Sequence, residues 1–145
     1  FVQSCRRMPA RNTEDRMVLG YKDMLAEAES QVASVNVTEA AELLGSEEIT
    51  LVDIRDIREL EREGLVPGSK HAPRGMLEFW IDPQSPYHKP WFAEDRTFVF
   101  YCASGWRSLL AAETAQRMGL KTASLRGGFA AWREAGQPVE AQAPR

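Results

Sequence analysis

The stretch TFVFYCASGWRSLLAAETAQRMG, residues 97–119, decides the fold, because a strand, a loop and a helix follow one another in it without interruption. Residues 97–101 are an aromatic and β-branched run, which predicts a buried strand. Residues 108–118 are rich in Leu and Ala and end before Gly119, which predicts a helix. Cys102 begins the loop between them, and open α/β sheets bind ligands at this end of their strands. The stretch therefore predicts an α/β fold and a site at the loop.

Strand and helix signals alternate on both sides of this stretch. Apolar or β-branched runs predict further strands at residues 49–54 and 122–125. Thr38 is predicted to cap a helix that ends at Leu44, and helical spacing, a capping box and terminal glycines predict the other helices at residues 15–31, 56–63, 76–81 and 129–135. Strands separated by helices indicate a parallel sheet with helices on both faces. The predicted division is a tail and amphipathic helix at 1–31, a domain at 32–140 and a tail at 141–145.

Composition and charge exclude several classes of protein. The 145 residues are 43% hydrophobic and 27% charged, which suits a single globular domain. A net charge of −3 with no basic stripe argues against nucleic-acid binding, and no stretch reaches the ~20 apolar residues of a membrane span. The start of the chain lacks the apolar core of a secretory signal. Cys5 and Cys102 are too few for a disulfide framework or a structural zinc site, which favours a cytoplasmic location.

The loop after the strand carries the predicted chemistry. A segment that curls into a helix N-terminus directs several backbone N–H groups at one point, where they stabilise an anion. If the sulfur of Cys102 lies at that point, the loop favours a nucleophilic thiolate, and Arg107 adds positive charge at its rim. The alternative is a small buried Cys with no reactivity. Cys102 is the predicted nucleophile, and the predicted binding loop comprises Ala103, Ser104, Gly105, Trp106, Arg107 and Ser108.

Asp53 and Arg55 follow the neighbouring predicted strand and should lie at the same edge of the sheet. Asp53 is expected either to hold the loop or a nearby charge, or to close the strand as a turn residue, and the structural role is favoured. Arg55 is expected to pair with Glu59 or Asp56 rather than to bind substrate.

Four ordered segments make residues 35–139 resemble the rhodanese (thiosulfate sulfurtransferase) domain family, in its single-domain form. One of these segments contains the loop, in which four residues separate Cys102 from Arg107. The four segments are LVDIRD at 51–56, GLVPGSKHAPRG at 64–75, YCASGWRS at 101–108 and LRGGFAAWREAGQPV at 125–139.

The resemblance implies a fold and a reaction. The fold is a central parallel sheet of about five strands with helices on both faces. The reaction is a sulfur transfer in two steps: Cys102 takes sulfur from thiosulfate or a similar small anionic donor, carries it as a persulfide, and passes it to cyanide, a thiol or an acceptor protein. It implies no cofactor, and the scattered His and Cys residues predict no metal site. His71 would be a scaffold residue.

Two alternatives remain open at the level of sequence. Phosphatases and arsenate reductases of the same fold are the first, although the related cell-cycle phosphatases have a Cys-x5-Arg loop and this chain has Cys-x4-Arg. A phosphatase also needs a general acid, and the loop contains no Asp or Glu. The second is a non-enzymatic sulfur-carrier or protein-binding module that docks through the amphipathic residues 17–28. The sequence leaves open whether Cys5 takes part.

Overall fold

The computed structural model describes residues 19–144, and its elements alternate as the sequence predicts. Two 3₁₀ turns, Arg74–Met76 and Pro90–Ala93, flank the connection that leads to the fourth strand. The helices are α1 (Tyr21–Gln31), α2 (Val37–Leu43), α3 (Ile57–Glu63), α4 (Leu77–Ile81), α5 (Trp106–Arg117) and α6 (Gly128–Glu134). The strands are β1 (Ala33–Val35), β2 (Ile49–Asp53), β3 (Lys70–His71), β4 (Thr97–Tyr101) and β5 (Lys121–Leu125).

The five strands form one parallel sheet in the order β1-β5-β4-β2-β3, which confirms the predicted sheet. β4 lies at its centre, with Val99 paired to Leu51 on β2 and to Ala123 on β5. Because β4 leads directly into Cys102, the loop emerges between the carboxyl ends of β2 and β5. This is the position at which parallel sheets bind ligands.

Each face of the sheet is covered by helices. On one face, Phe98, Phe100 and Cys102 pack against small residues of α5 such as Ala111 and Ala115. On the other face, the buried side chains of Tyr101 and Leu125 pack against Phe129 and Trp132 of α6 and Ala40 of α2. The alternation along β4 therefore sends successive side chains into two separate cores.

The starts of α2 and α5 are corrected, and strands β1 and β3 were not predicted. The first residue of α2 is Val37, because Asn36, not Thr38, is the N-cap: its side chain accepts from Glu39 N–H at 2.8 Å. α5 begins at Trp106 rather than residue 108, since Gly105 adopts a left-handed conformation that permits an early start. The two-residue strand β3 pairs with the end of β2.

α1 packs against α5, and its start borders the loop that contains Cys102. Tyr21 contacts Trp106 with ring centroids 5.7 Å apart, and Gln116 of α5 donates from Nε2 to the carbonyl of Gln31 at 2.8 Å. Residues 15–18 of the predicted helix lie outside the described residues, as does Cys5. The predicted start is wrong at residues 19–20, because Gly20 is extended and is the N-cap of α1. Between Leu19 and residue 144, no helix combines the length and the apolar character that crossing a membrane requires.

Candidate active site

The sulfur of Cys102 lies inside the loop and accepts hydrogen bonds from its backbone. Gly105 N–H donates to Sγ at 3.1 Å, and Ser108 N–H donates at 3.4 Å. The hydroxyl of Ser108 is 3.6 Å from the sulfur. Gly105 has φ +109°, a left-handed conformation that suits glycine and that turns the loop into the helix. The predicted convergence of amide groups on Cys102 is therefore present in the folded chain.

Four other amide groups of the loop remain available. Among residues 19–144, the N–H groups of Ala103, Ser104, Trp106 and Arg107 donate to no other group. The last two belong to the first turn of α5, where backbone N–H groups have no partner within the helix. They add to the positive electrostatic potential at the start of α5.

Helix α6 fixes the loop from the side opposite to α5. Phe129 N–H donates to the carbonyl of Cys102 at 2.8 Å, and Ala130 N–H donates to the carbonyl of Ala103 at 3.0 Å. This approach requires glycine at 128, because a Cβ there would lie 2.6 Å from the Cys102 carbonyl oxygen. Gly128 thus permits close packing of backbone against backbone, whereas a Cβ on Gly127 would lie 2.6 Å from the Cβ of Ala131 in α6.

Two buried hydroxyl groups lie next to the sulfur. Ser108 Oγ contacts Ser124 Oγ at 3.0 Å and also donates to the carbonyl of Gly105 at 3.2 Å. Both side chains are buried, and both satisfy their hydroxyls within the protein. Ser124 was not among the predicted site residues. It lies on β5, whose short predicted run gave no sign that one of its residues faces the loop.

Arg107 is held by Glu59 of α3 at the rim of the loop. Its Nη1 and Nη2 donate to the two carboxylate oxygens of Glu59, each at 3.0 Å. The hydrogen bond from Arg107 lowers the pKa of Glu59, and the hydrogen bond to Glu59 raises the pKa of Arg107. Glu59 therefore stays ionised, and its pairing with Arg107 was not predicted.

Asp53 and Arg55 form a fully buried ion pair behind the loop. Arg55 Nη2 lies 2.7 Å from Asp53 Oδ2, and Nε and the backbone N–H of Arg55 both donate to Oδ1 at 3.0 Å. The guanidinium also donates to the carbonyl of Gly64 and lies 4.4 Å from the ring centroid of Phe129. Burial alone would lower the pKa of Arg55, but the hydrogen bonds and charge of Asp53 outweigh it and raise that pKa.

The expected partners of Arg55 are wrong. Arg55 pairs with Asp53, and its Nη1 lies 3.9 Å from Glu63. Glu59 is bound to Arg107, and the carboxylate of Asp56 pairs with Arg58 at 2.9 Å. The side chain of Arg55 folds back onto its own strand because Asp53 offers a bidentate acceptor that is already buried.

The remaining polar groups near the end of β2 form hydrogen bonds between the segments that follow β2 and the ends of β3 and β4. His71 Nε2 lies 2.7 Å from the carbonyl oxygen of Arg55. The Tyr101 hydroxyl accepts from Val66 N–H at 3.1 Å and contacts Ser69 Oγ at 2.9 Å. Burial raises the pKa of Tyr101, so this hydroxyl keeps its proton. Within residues 19–144, no three His, Cys, Asp or Glu side chains cluster as metal ligands would.

Comparison of the chain with known proteins identifies its family. Residues 36–135 match the Rhodanese-like domain family. The chain belongs to this family. It is 30% identical over 104 residues to the mouse "Thiosulfate sulfurtransferase/rhodanese-like domain-containing protein 3", an alignment that covers 68% of this chain and 66% of the mouse protein.

Two solved structures resemble this rhodanese-like domain. A protein of unknown function from Rhodopseudomonas palustris, described as a possible tyrosine phosphatase, is 54% identical with a TM-score of 0.82, over 92% of this chain and 100% of that chain. The thiosulfate sulfurtransferase of Pseudomonas aeruginosa is 26% identical with a TM-score of 0.68, over 86% of this chain and 23% of that chain.

Proposed function

We propose that this rhodanese-like domain is a sulfurtransferase that carries sulfur as a persulfide on Cys102. The observation that carries the proposal is the pair of amide hydrogen bonds to Sγ, from Gly105 at 3.1 Å and Ser108 at 3.4 Å. Hydrogen bonds to the sulfur stabilise the thiolate, which is the nucleophilic form of cysteine. The sulfurtransferase names of its relatives agree with this chemistry.

In the first step, the Cys102 thiolate attacks the outer sulfur of thiosulfate or a similar anionic donor. A bond forms between Sγ and the transferred sulfur, the sulfur–sulfur bond of thiosulfate breaks, and its electron pair leaves with sulfite. The free N–H groups of Ala103, Ser104, Trp106 and Arg107 are positioned to bind the anionic donor and then the outer sulfur of the persulfide. No general base is needed once the thiolate is formed.

In the second step, a thiophilic acceptor removes the outer sulfur. Cyanide or a thiolate attacks this sulfur, the bond to Sγ breaks, and its electron pair returns to Cys102 as the thiolate. The two steps together transfer one neutral sulfur atom, so no external oxidant or reductant is consumed. Cys102 is only 1% exposed, so donor and acceptor must approach the sulfur through the loop that surrounds it.

Intact-mass measurement after incubation with thiosulfate, followed by cyanide, tests this cycle. We expect the wild-type chain to gain one sulfur atom and to lose it with cyanide. Cys102→Ala should gain none, whereas Cys5→Ser, the matched control, should behave as wild type. A full gain in Cys102→Ala, or none in wild type, would refute the proposal. Since the cycle needs a reduced Cys102, which is a free thiol, we propose a reducing compartment such as the cytoplasm.

A phosphatase is the second candidate, because the Rhodopseudomonas palustris protein is described as a possible tyrosine phosphatase. Such an enzyme needs a protonated acid for the leaving alkoxide. Glu59, the acidic group bound to Arg107, has a lowered pKa and stays ionised, so it is unsuited to this role. We therefore expect no Cys102-dependent hydrolysis of 4-nitrophenyl phosphate or a phosphotyrosine peptide. Turnover of either that is lost in Cys102→Ala would favour the phosphatase.

A further inference from the structure

An open crevice lies beside the loop, between the last turn of α1, the end of β5 and the start of α5. Its volume is about 360 Å³, which lies within the range of small-molecule sites. Serine hydroxyls and the exposed ring of Trp106 form much of its wall. Its lining includes Glu29, Ser34, Ser104, Trp106, Ser124 and Arg126.

Two opposite charges face this crevice without neutralising each other. Glu29 lies on α1, and Arg126 follows β5. Across residues 19–144, neither side chain makes an ion pair or a hydrogen bond, and the two are too far apart to pair with one another. By contrast, the other arginines near the site, Arg55 and Arg107, are each bound to a carboxylate. The crevice thus offers one free carboxylate and one free guanidinium.

We propose that this crevice binds the α-amino-acid head of a small thiol acceptor. Glu29 takes the ammonium group and Arg126 takes the carboxylate, while the hydroxyls of Ser34 and Ser104 donate to the carboxylate oxygens. The inference rests on the proposed sulfurtransferase function and names the class of acceptor. A zwitterion satisfies both charges, whereas a dianionic donor such as thiosulfate would be repelled by Glu29.

The crevice lies beside the loop that holds the reacting sulfur. Ser124 lines it, and the Ser124 hydroxyl connects through the buried Ser108 hydroxyl, 3.0 Å away, to the Cys102 sulfur, which lies 3.6 Å from Ser108 Oγ and does not itself line the crevice. Gly105 also lines the crevice and donates its N–H to the same sulfur. A thiol attached to an anchored amino-acid head is therefore held near the loop, which raises its effective concentration there.

The bound acceptor takes the outer sulfur of the Cys102 persulfide. The acceptor thiol releases its proton to solvent, and its thiolate attacks the outer sulfur of the Cys102 persulfide. A new sulfur–sulfur bond forms on the acceptor, the bond to Cys102 breaks, and its electron pair stays on Sγ. The products are an amino-acid persulfide and the Cys102 thiolate.

Binding is tested without any reaction by adding S-methyl-L-cysteine, which lacks a free thiol, to the ¹⁵N-labelled chain. We expect saturable NMR shifts at Ser34, Ser104 and Arg126 and at the indole N–H of Trp106. Glu29→Gln and Arg126→Gln should each weaken binding about tenfold, the usual effect of one charge-assisted hydrogen bond. The matched controls are Glu27→Gln on α1 and Arg117→Gln on α5, which do not line the crevice and should leave binding unchanged.

Acceptor selectivity provides the second test, with L-cysteine, cysteamine and 3-mercaptopropionate. Glu29→Gln should lower the kcat/KM ratio of L-cysteine to 3-mercaptopropionate about tenfold, because the latter has no ammonium group. Arg126→Gln should lower the ratio of L-cysteine to cysteamine by a similar factor, because cysteamine has no carboxylate. Because each kcat/KM ratio is compared between a variant and the wild type, differences in the intrinsic reactivity of the thiols cancel.

The two readouts separate this inference from the proposed function. If S-methyl-L-cysteine causes no saturable shifts, or if the two variants bind it as well as wild type, the inference is wrong whether or not a persulfide forms. Equal ratios in the wild type and both variants would also refute it. If binding follows the prediction but Cys102 never gains sulfur, the crevice is an amino-acid site and the sulfurtransferase proposal fails.

Discussion

Replacing Gly128 by Ala should damage both the stability of the fold and the reactive loop. The added Cβ would lie 2.6 Å from the Cys102 carbonyl oxygen and 2.8 Å from the carbonyl carbon and oxygen of Ala103. Ordinary contact begins at 3.4 Å, so α6 and the loop must separate by about 0.8 Å. That separation stretches the hydrogen bonds from Phe129 and Ala130 that fix the loop, at 2.8 and 3.0 Å.

The expected cost has two parts. A side chain at φ +60° costs about 1–2 kcal/mol, and the two weakened hydrogen bonds add ~1 kcal/mol each, about 3–4 kcal/mol in all. Gly136→Ala is the control, because Gly136 has φ +74° and a Cβ there would meet nothing within 4 Å. It should cost only about 1–2 kcal/mol.

Urea unfolding measures the difference in stability between the two variants. The rate of sulfur gain from thiosulfate measures the reactivity of Cys102 in the loop. Under conditions in which both variants remain folded, Gly128→Ala should react more slowly than Gly136→Ala, because its Cys102 has moved away from the amides of Gly105 and Ser108. Equal losses of stability in the two variants, with equal reaction rates, would refute the reasoning.

Two further predictions concern the ion pairs. Asp53→Ala leaves Arg55 buried without a counter-charge and should lower the free energy of unfolding by about 3–5 kcal/mol. The double variant with Arg55→Met should recover part of this loss in urea unfolding, and no recovery would contradict the ion-pair account. Glu59→Gln keeps a capping oxygen but loses the ion pair with Arg107, and because both side chains are partly exposed we expect a cost under about 1 kcal/mol at neutral pH. The folded state lowers the pKa of Glu59, so its stabilisation is complete above the ordinary Glu pKa of ~4.3 and disappears as the pH falls through the folded pKa. Unfolding curves of the two proteins should therefore converge in acid, and a constant gap would oppose the prediction.

The order of elements could be read from the sequence because its signals are local. A capping box depends on residues three apart, so Asp56 and Glu59 predicted the start of α3, and Gly64 its end. The aromatic run at Thr97–Tyr101 predicted β4 without error. β3 escaped prediction because it has two residues and exists only through its pairing with β2, which no local pattern encodes.

The side-chain partners at the site were harder to predict because they depend on contacts distant in sequence. Arg107 meets Glu59 across 48 residues, and Ser108 meets Ser124 across 16. Glu59 was expected to cap α3 or to pair with the nearby Arg55, and no local pattern indicated Arg107 as its partner.

The distribution of charge around Cys102 determines how the loop can bind an anion. Asp53 and Glu59 neutralise the arginines on the β2 side, so neither Arg55 nor Arg107 brings a free positive charge to the loop. The binding of an anion to the loop therefore depends mainly on its backbone N–H groups, which among side-chain substitutions only proline removes. Arg107 fixes the start of α5 to α3, and we expect it to act by holding these groups in place. The free charge of Arg126 lies on the opposite side, towards β5, where the proposed acceptor binds.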